Sequence, residues 1–165
     1  METLGTALPY ANAILVFPML GADVRELLDQ SVLRLGTDLF SQVSGLRFEI
    51  AGNRVAGIQI LQDPGDPGAG FVPLQPAETY FVATTDFQGL TAPGYAEIFA
   101  RGGSPLKTGL DLRNVVGQYI RSHSPVDASL DGRIFEGHST PGGDAPSRPC
   151  PVIPGIHYSP DRSGA

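Results

Sequence analysis

Apolar side chains recur at helical spacing in two stretches of the chain. In the first, Asp23 and Glu26 lie where acidic side chains favour the start of a helix, and Gly36 predicts its end. Its apolar face consists of Val24, Leu27, Leu28, Val32 and Leu35. The second stretch begins at a candidate N-cap, Asp111, and must end before Pro125. Its apolar face consists of Leu112, Val115, Val116, Tyr119 and Ile120.

Further stretches have the composition of β-strands: residues 12–19, 46–50, 54–61 and 79–85. The first is mostly apolar, which predicts a strand buried on both faces. The second alternates apolar with charged side chains, and the third follows Gly52 and Asn53, which favour a tight hairpin turn. The fourth is rich in β-branched and aromatic residues. With a short helical piece around residues 95–100 and no internal repeat, the pattern predicts one α+β domain, with mixed β-sheets flanked by helices.

Glycine and proline are frequent, and they limit the classes of fold. The chain of 165 residues contains 21 glycines and 15 prolines, which excludes a coiled coil, a helical bundle and a collagen repeat. Residues 63–70 are rich in both and predict an exposed loop. Beyond residue 136 little can pack, so we expect a domain over residues 1–136 and a disordered or draped tail over residues 137–165.

The charge balance limits the classes of molecule that the chain is expected to bind. The 11 Lys and Arg residues are scattered singly, and 17 Asp and Glu residues give a formal net charge of −6. Binding to nucleic acid or to an anionic membrane needs basic side chains on one face, so we expect neither partner. The first long apolar run, residues 13–20, is too short to span a bilayer, and no basic residue precedes it. We therefore expect no membrane anchor and no export signal.

The residue types that most often carry chemistry do not form a recognisable site. Ser122, His123 and Asp127 are sequence neighbours, which rarely make a catalytic triad, and no nucleophile elbow is present. Cys150 lies between two prolines, where no rigid base is expected beside the thiol. The histidines lack the spacing of metal ligands, so no metal site and no catalytic residue are expected. They are His123, His138 and His157.

Several segments carry a resemblance to a known family. They are LPYAN at 8–12, GADVRELL at 21–28, FSQVSGL at 40–46, YFVATTDF at 80–87, GY at 94–95 and GRI at 132–134. In this order they resemble the C-terminal domain of the 5′-nucleotidase family, which includes UDP-sugar hydrolases and cyclic-phosphodiesterase relatives. The resemblance implies the α+β fold of that domain, incomplete at its N-terminus.

The resemblance implies a substrate-binding role for four residues. Phe40 and Phe87 would sandwich a nucleobase, and Asp86 and Gly94 complete the set. Stacking on an aromatic ring is worth about 1–3 kcal/mol per base and tolerates different bases. The alternative for each ring is an ordinary place in the hydrophobic core. Pro93 stands where the family has the acidic residue that holds the ribose hydroxyls, so the resemblance does not extend to recognition of the sugar.

The resemblance also implies a function: phosphate-ester hydrolysis in nucleotide catabolism, with this chain supplying recognition of the base. In the family, two divalent metals are held by a separate N-terminal metallophosphatase domain, and a phosphate-holding segment precedes the motif matched at residues 8–12. We therefore expect no cofactor in this chain and no phosphatase activity from the chain alone. The expected partners are a nucleotide or nucleoside and a separate metallophosphatase domain.

Two other hypotheses stay open. One is a non-catalytic binding or interaction module that kept the scaffold and lost nucleotide binding, which Pro93 favours. The other is a decayed or mis-started reading frame, in which an unpaired strand edge would favour association. The family is mostly extracytoplasmic, whereas we expect no export signal, so the sequence assigns no compartment.

Overall fold

The computed structural model describes residues 2–63, 65–66, 69–126 and 130–137. Within these residues the chain forms two β-sheets and five α-helices. The helices are α1 (Glu2–Ala7), α2 (Gly21–Val32), α3 (Asp86–Leu90), α4 (Ala96–Phe99) and α5 (Leu112–His123). The strands are β1 (Ala13–Leu20), β2 (Leu46–Ala51), β3 (Arg54–Leu61), β4 (Phe71–Pro73), β5 (Thr79–Thr85), β6 (Leu106–Asp111) and β7 (Ile134–Glu136). The predicted α+β class is confirmed.

The first sheet places β1 between two antiparallel neighbours. The strand order is β5-β1-β6, with Phe17 opposite Val82 and Val16 opposite Leu106. The strand predicted at residues 12–19 is confirmed, but its burial on both faces is wrong. Residues 15, 17 and 19 are buried, whereas residues 14, 16 and 18 are half-buried. The core packs on the face that carries Phe17, so burial alternates along the strand.

The second sheet contains the predicted hairpin. Strands β2 and β3 pair antiparallel through a turn in which Gly52 has a φ of +65°, a conformation that glycine adopts readily. The strand order is β4-β3-β2-β7, and β7 runs parallel to β2, with Ile134 opposite Phe48. Phe48 N also donates to Arg133 O at 2.9 Å. The last described segment of the chain therefore lies beside β2.

Helix α2 joins the two sheets. It contacts β1 in the first sheet and β3 in the second. The helix ends at Val32, earlier than Gly36 predicts, and Leu35 lies beyond its last turn with 50% of its surface exposed. The prediction that Leu35 belongs to the apolar face is therefore wrong, while the rest of that face is buried as predicted. The buried apolar residues of α2 are Val24, Leu27, Leu28 and Val32.

Helix α5 begins at the predicted cap. Asp111 Oδ1 accepts a hydrogen bond from Asn114 N at 3.0 Å, and the helix ends at His123, before Pro125. The sequence pattern does not predict α1, α3, β4, β6 or β7. Each of these elements has only three to six residues, and none of them shows a clear helical period or strand alternation.

Several expectations from the sequence lie outside the described residues. They concern residues 138–165 of the expected tail, which include His138, Cys150 and His157, and Asp127 of the candidate triad. In the described part of the chain, the His123 ring stacks on Tyr119 with 4.3 Å between ring centroids. No described helix has the length and apolar character needed to cross a membrane.

Candidate functional site

Helix α3 carries two of the predicted site residues at the end of β5. Thr85 caps the helix, because its Oγ1 accepts a hydrogen bond from Gln88 N at 3.2 Å. Asp86 Oδ1 accepts from Phe87 N at 2.9 Å. The Phe87 ring is 51% exposed, so α3 holds a large apolar side chain at the surface. This exposure argues against an ordinary core position for Phe87.

The absence of a side chain at Gly89 lets α3 lie close to β1. A Cβ atom built at Gly89 would lie 2.6 Å from Phe17 Cε2 and 3.3 Å from Thr84 Cγ2. Phe17 is only 1% exposed and its ring contacts Phe99 at 4.8 Å between centroids, so it has little room to move. Close packing thus fixes the position of the helix that carries Phe87.

Phe40 lies in the connection between α2 and β2, and its side chain is half-buried. Phe40 N donates to Thr37 O at 3.2 Å, and Leu39 N donates to Thr37 Oγ1 at 3.2 Å. Ser41 N donates to the fully buried Ser31 Oγ of α2 at 2.8 Å. Hydrogen bonds on both sides of Phe40 therefore fix the backbone of this connection.

A chain of hydrogen bonds joins the Phe40 connection to α3. Gln88 Nε2 donates to Ser41 Oγ, which donates to Tyr95 Oη at 3.4 Å. Tyr95 Oη in turn donates to Leu39 O at 2.8 Å. Ser41 and Gln88 directly follow Phe40 and Phe87, and they lie 47 positions apart in the sequence. The fold therefore ties together the two segments that carry the predicted rings.

Gly94 lies in a tight turn that Arg34 and Glu97 hold. Its φ is +80°, and Gly94 N donates to Glu97 Oε2 at 3.0 Å. Arg34 Nη2 donates to Pro93 O at 2.7 Å, and its guanidinium lies 5.0 Å from the centroid of the Tyr95 ring. The turn thus adjoins Tyr95, whose hydroxyl belongs to the chain of hydrogen bonds described above.

A mostly apolar groove of about 740 Å³ runs beside these segments. Residues of α2, of β5 and of the connection between α2 and β2 line it. None of the four predicted site residues is among the lining residues, but Ser41 and Gln88, which follow the two rings, are. The groove therefore begins next to the predicted site rather than containing it.

Arg133 holds one wall of the groove. Its Nη1 donates to Val43 O at 2.7 Å, and its Nε lies 2.6 Å from Asp131 Oδ2. Burial of the Asp131 carboxyl opposes its ionisation, but hydrogen bonds from Arg133 outweigh burial and keep the pKa of Asp131 below its ordinary value. Asp131 therefore stays charged and orients the Arg133 guanidinium.

The structure places the predicted site residues on two segments and a neighbouring turn. Phe87 and Asp86 belong to α3, Phe40 to the connection after α2, and Gly94 to the turn before α4. Sequence reasoning missed Ser41, Gln88, Tyr95 and Arg34, which join these parts. The first three lie inside or beside the motifs of the resemblance, whereas Arg34 carries no sequence signal. Among the described residues, no group of three or more His, Cys, Asp or Glu could hold a metal ion.

Comparison with protein families and curated proteins identifies relatives. The model for "5′-nucleotidase, C-terminal domain" matches residues 1–101. The trifunctional nucleotide phosphoesterase protein YfkN of Bacillus subtilis is 28% identical over 141 residues, which cover 81% of this chain and 10% of that protein. Protein UshA of Yersinia enterocolitica is 29% identical over 122 residues, covering 73% of this chain and 20% of that protein. The chain thus spans a fifth or less of the length of these curated relatives.

Solved structures agree with this assignment. The 5′-nucleotidase precursor of Thermus thermophilus superposes with a TM-score of 0.71 at 26% identity, over 83% of this chain and 27% of that one. The NAD nucleotidase of Haemophilus influenzae has the same fold, with a TM-score of 0.59 at 17% identity over 84% of this chain and 25% of that one. With the family model matching residues 1–101, the chain belongs to the 5′-nucleotidase C-terminal domain family.

Proposed function

We propose that this chain recognises a nucleotide or nucleoside for a 5′-nucleotidase-type hydrolase, with Phe40 and Phe87 stacking on the two faces of the base. The observation that carries the proposal is the half-exposed ring of Phe87 on a helix hydrogen-bonded to the segment that carries Phe40. Folding buries most large apolar side chains, and a flat apolar ring held at the surface by a rigid element is suited to stacking.

We propose that the other two predicted residues support such a ligand. Asp86 uses Oδ1 to accept from Phe87 N, and its second carboxylate oxygen can accept from an amino or hydroxyl group. At Gly94 a Cβ atom would lie 2.5 Å from Arg34 Nη2, so glycine allows the turn to stay closed against that guanidinium. Asp86 would thus add a polar contact to stacking, and Gly94 would keep the neighbouring turn in place.

We propose further that phosphate-ester hydrolysis is carried out by a separate metal-bearing domain. The names of the relatives, a nucleotide phosphoesterase and a 5′-nucleotidase precursor, support this reaction class. Both relatives are several times longer than this chain. Two divalent metals in such a domain would polarise the phosphoryl group and supply the hydroxide nucleophile. This chain would contribute affinity for the base and its orientation.

Calorimetric titration of the 165-residue chain with adenosine tests the recognition role. We expect saturable binding that Phe87→Ala weakens by about 1–3 kcal/mol, because one stacking face is lost. The melting temperature should change little, since the ring is already 51% exposed. Phe135→Ala is the matched control, because Phe135 is 45% exposed on β7 of the other sheet and should leave the affinity unchanged.

Three results would contradict the proposal. The first is the absence of any heat with nucleosides at millimolar concentration, which would favour the non-catalytic module that lost nucleotide binding. The second is equal affinity in wild type, Phe87→Ala and Phe135→Ala, which would show that binding does not involve the predicted rings. A large loss of stability in Phe87→Ala would instead place that ring in the core.

A further inference from the structure

We propose that Gln88 and Ser41 form a positioning pair that fixes the Phe40 ring relative to the Phe87 ring. The inference rests on the proposed function, because it concerns how the two faces of the base-binding site keep their separation. The pair is the direct hydrogen bond from Gln88 Nε2 to Ser41 Oγ, one residue beyond each ring.

The Gln88 side chain is held on a fixed support. Its backbone N donates to Thr85 Oγ1 at 3.2 Å, and its Oε1 accepts from Thr84 Oγ1 at 2.8 Å. The bond to Thr84 turns the amide so that its NH2 group faces Ser41. Close packing of α3 at Gly89 against Phe17 completes the support. The amide thus presents a donor whose place is set by β5 and α3.

The Ser41 hydroxyl accepts a hydrogen bond on one side and donates one on the other. Its Oγ accepts from Gln88 and donates to Tyr95 Oη, which donates to Leu39 O. Each hydroxyl in this series accepts one hydrogen bond and donates one, so each hydroxyl donor has an acceptor. Such a directed series strengthens its members in a partly buried setting.

Hydrogen bonds to the neighbours of Phe40 hold the backbone from which its ring projects. Leu39 O is held by Tyr95, Ser41 N by Ser31, and Ser41 Oγ by Gln88. The first two tie the connection to α2 and to Tyr95, the residue before α4, whereas the third ties it to α3 and therefore to Phe87. Without this bond each segment would still be held by its own contacts, but nothing would tie one directly to the other, so the separation of the rings would vary more and the apparent affinity for a flat base would fall with the fraction that fits.

Titration with adenosine, with a melting curve for each variant, tests the pair. We expect Gln88→Ala and Ser41→Ala each to weaken binding about threefold to tenfold, the size of one net hydrogen bond. The double variant should lose no more than Ser41→Ala alone, because both substitutions remove the same bond. Ser41→Thr keeps a hydroxyl and should restore most of the affinity. Gln118→Ala, at an exposed position of α5, is the matched control and should bind as wild type.

The outcomes separate this inference from the proposed function. Wild-type affinity in Gln88→Ala and Ser41→Ala, with Phe87→Ala still weakened, would overturn the positioning role and leave base recognition standing. Additive losses in the double variant, or no recovery in Ser41→Thr, would also overturn it. Failure of the wild-type chain to bind adenosine, or wild-type affinity in Phe87→Ala, would overturn both. Should Gln88→Ala not fold, the comparison of Ser41→Ala with Ser41→Thr decides.

Discussion

Replacing Gly89 with alanine adds one methyl group at the closest approach between α3 and the core. The new Cβ would lie 2.6 Å and 2.8 Å from two ring carbons of Phe17, far inside ordinary contact. Phe17 is 1% exposed and is braced by Phe99, so its ring cannot swing aside. The helix must therefore move away from β1 if the substitution is to be accommodated.

Two opposing effects decide the sign of the change in stability. Alanine is a better helix former than glycine, which favours the variant by about 1 kcal/mol at most. Forcing an extra carbon into a packed core costs about 1–3 kcal/mol. The gain from the higher helix propensity of alanine is small here because α3 has only five residues. We therefore expect Gly89→Ala to lower the free energy of unfolding by about 1–2 kcal/mol.

Urea denaturation and thermal melting measure this change, and Gly117 provides a matched control. Gly117 is buried in α5, but a Cβ there would lie 3.4 Å from Leu4 Cδ2 and 3.5 Å from Arg121 Nη1, which are ordinary contacts. Gly117→Ala should therefore stabilise the chain by up to about 1 kcal/mol. For a chain of this size, each kcal/mol corresponds to about 2–4 °C in Tm.

The comparison between the two variants would refute the reasoning if their order were reversed. Gly89→Ala at or above wild-type stability would show that α3 does not press on Phe17. It would also contradict the claim that close packing holds the helix that carries Phe87. Gly117→Ala below wild type would show that helix propensity does not govern α5. Displacement of α3 should also weaken adenosine binding by Gly89→Ala, whereas Gly117→Ala should bind as wild type.

Two further predictions concern other contacts in the fold, and a third concerns activity of the isolated chain. Ser31→Ala should lower the free energy of unfolding by about 1–3 kcal/mol in urea denaturation, because Ser41 N would lose its acceptor inside the fold. Arg101 bonds hold the pKa of Glu26 below its ordinary value of 4.5, so this pair stabilises the fold above that pH and ceases to do so as the pH falls through the lowered pKa. In Arg101→Gln the free energy of unfolding should therefore depend less on pH in the acid range. Added salt should reduce the difference between the variant and the wild type. The purified chain should release no phosphate from AMP in a phosphate assay with divalent metals, since the resemblance places the metals in a separate domain; metal-dependent release would contradict this.

The sequence predicts the elements that have enough residues to display a period. The apolar face of α2 and the capped start of α5 are recognisable because their side chains repeat over three turns. Leu35 shows the limit of this approach, because a residue can match the helical spacing while lying past the helix end. β6 and β7 escape prediction for a reason besides their shortness, because their place is set by partners distant in sequence, such as Phe48 for Ile134.

The same distinction between local sequence pattern and contacts of distant residues applies to the candidate site. Ser41 and Gln88 occupy the same sequence motifs as the two rings, yet their role depends on a contact between positions 47 residues apart. In an isolated segment, water would satisfy both side chains. In the fold both are half-buried, which reduces their access to water and favours a protein partner for each. Consistent with this, no buried side-chain nitrogen or oxygen in the described residues lacks a hydrogen bond. Burial thus converts the polar residues of the motifs into mutual partners, while Phe87 beside them keeps about half of its surface exposed.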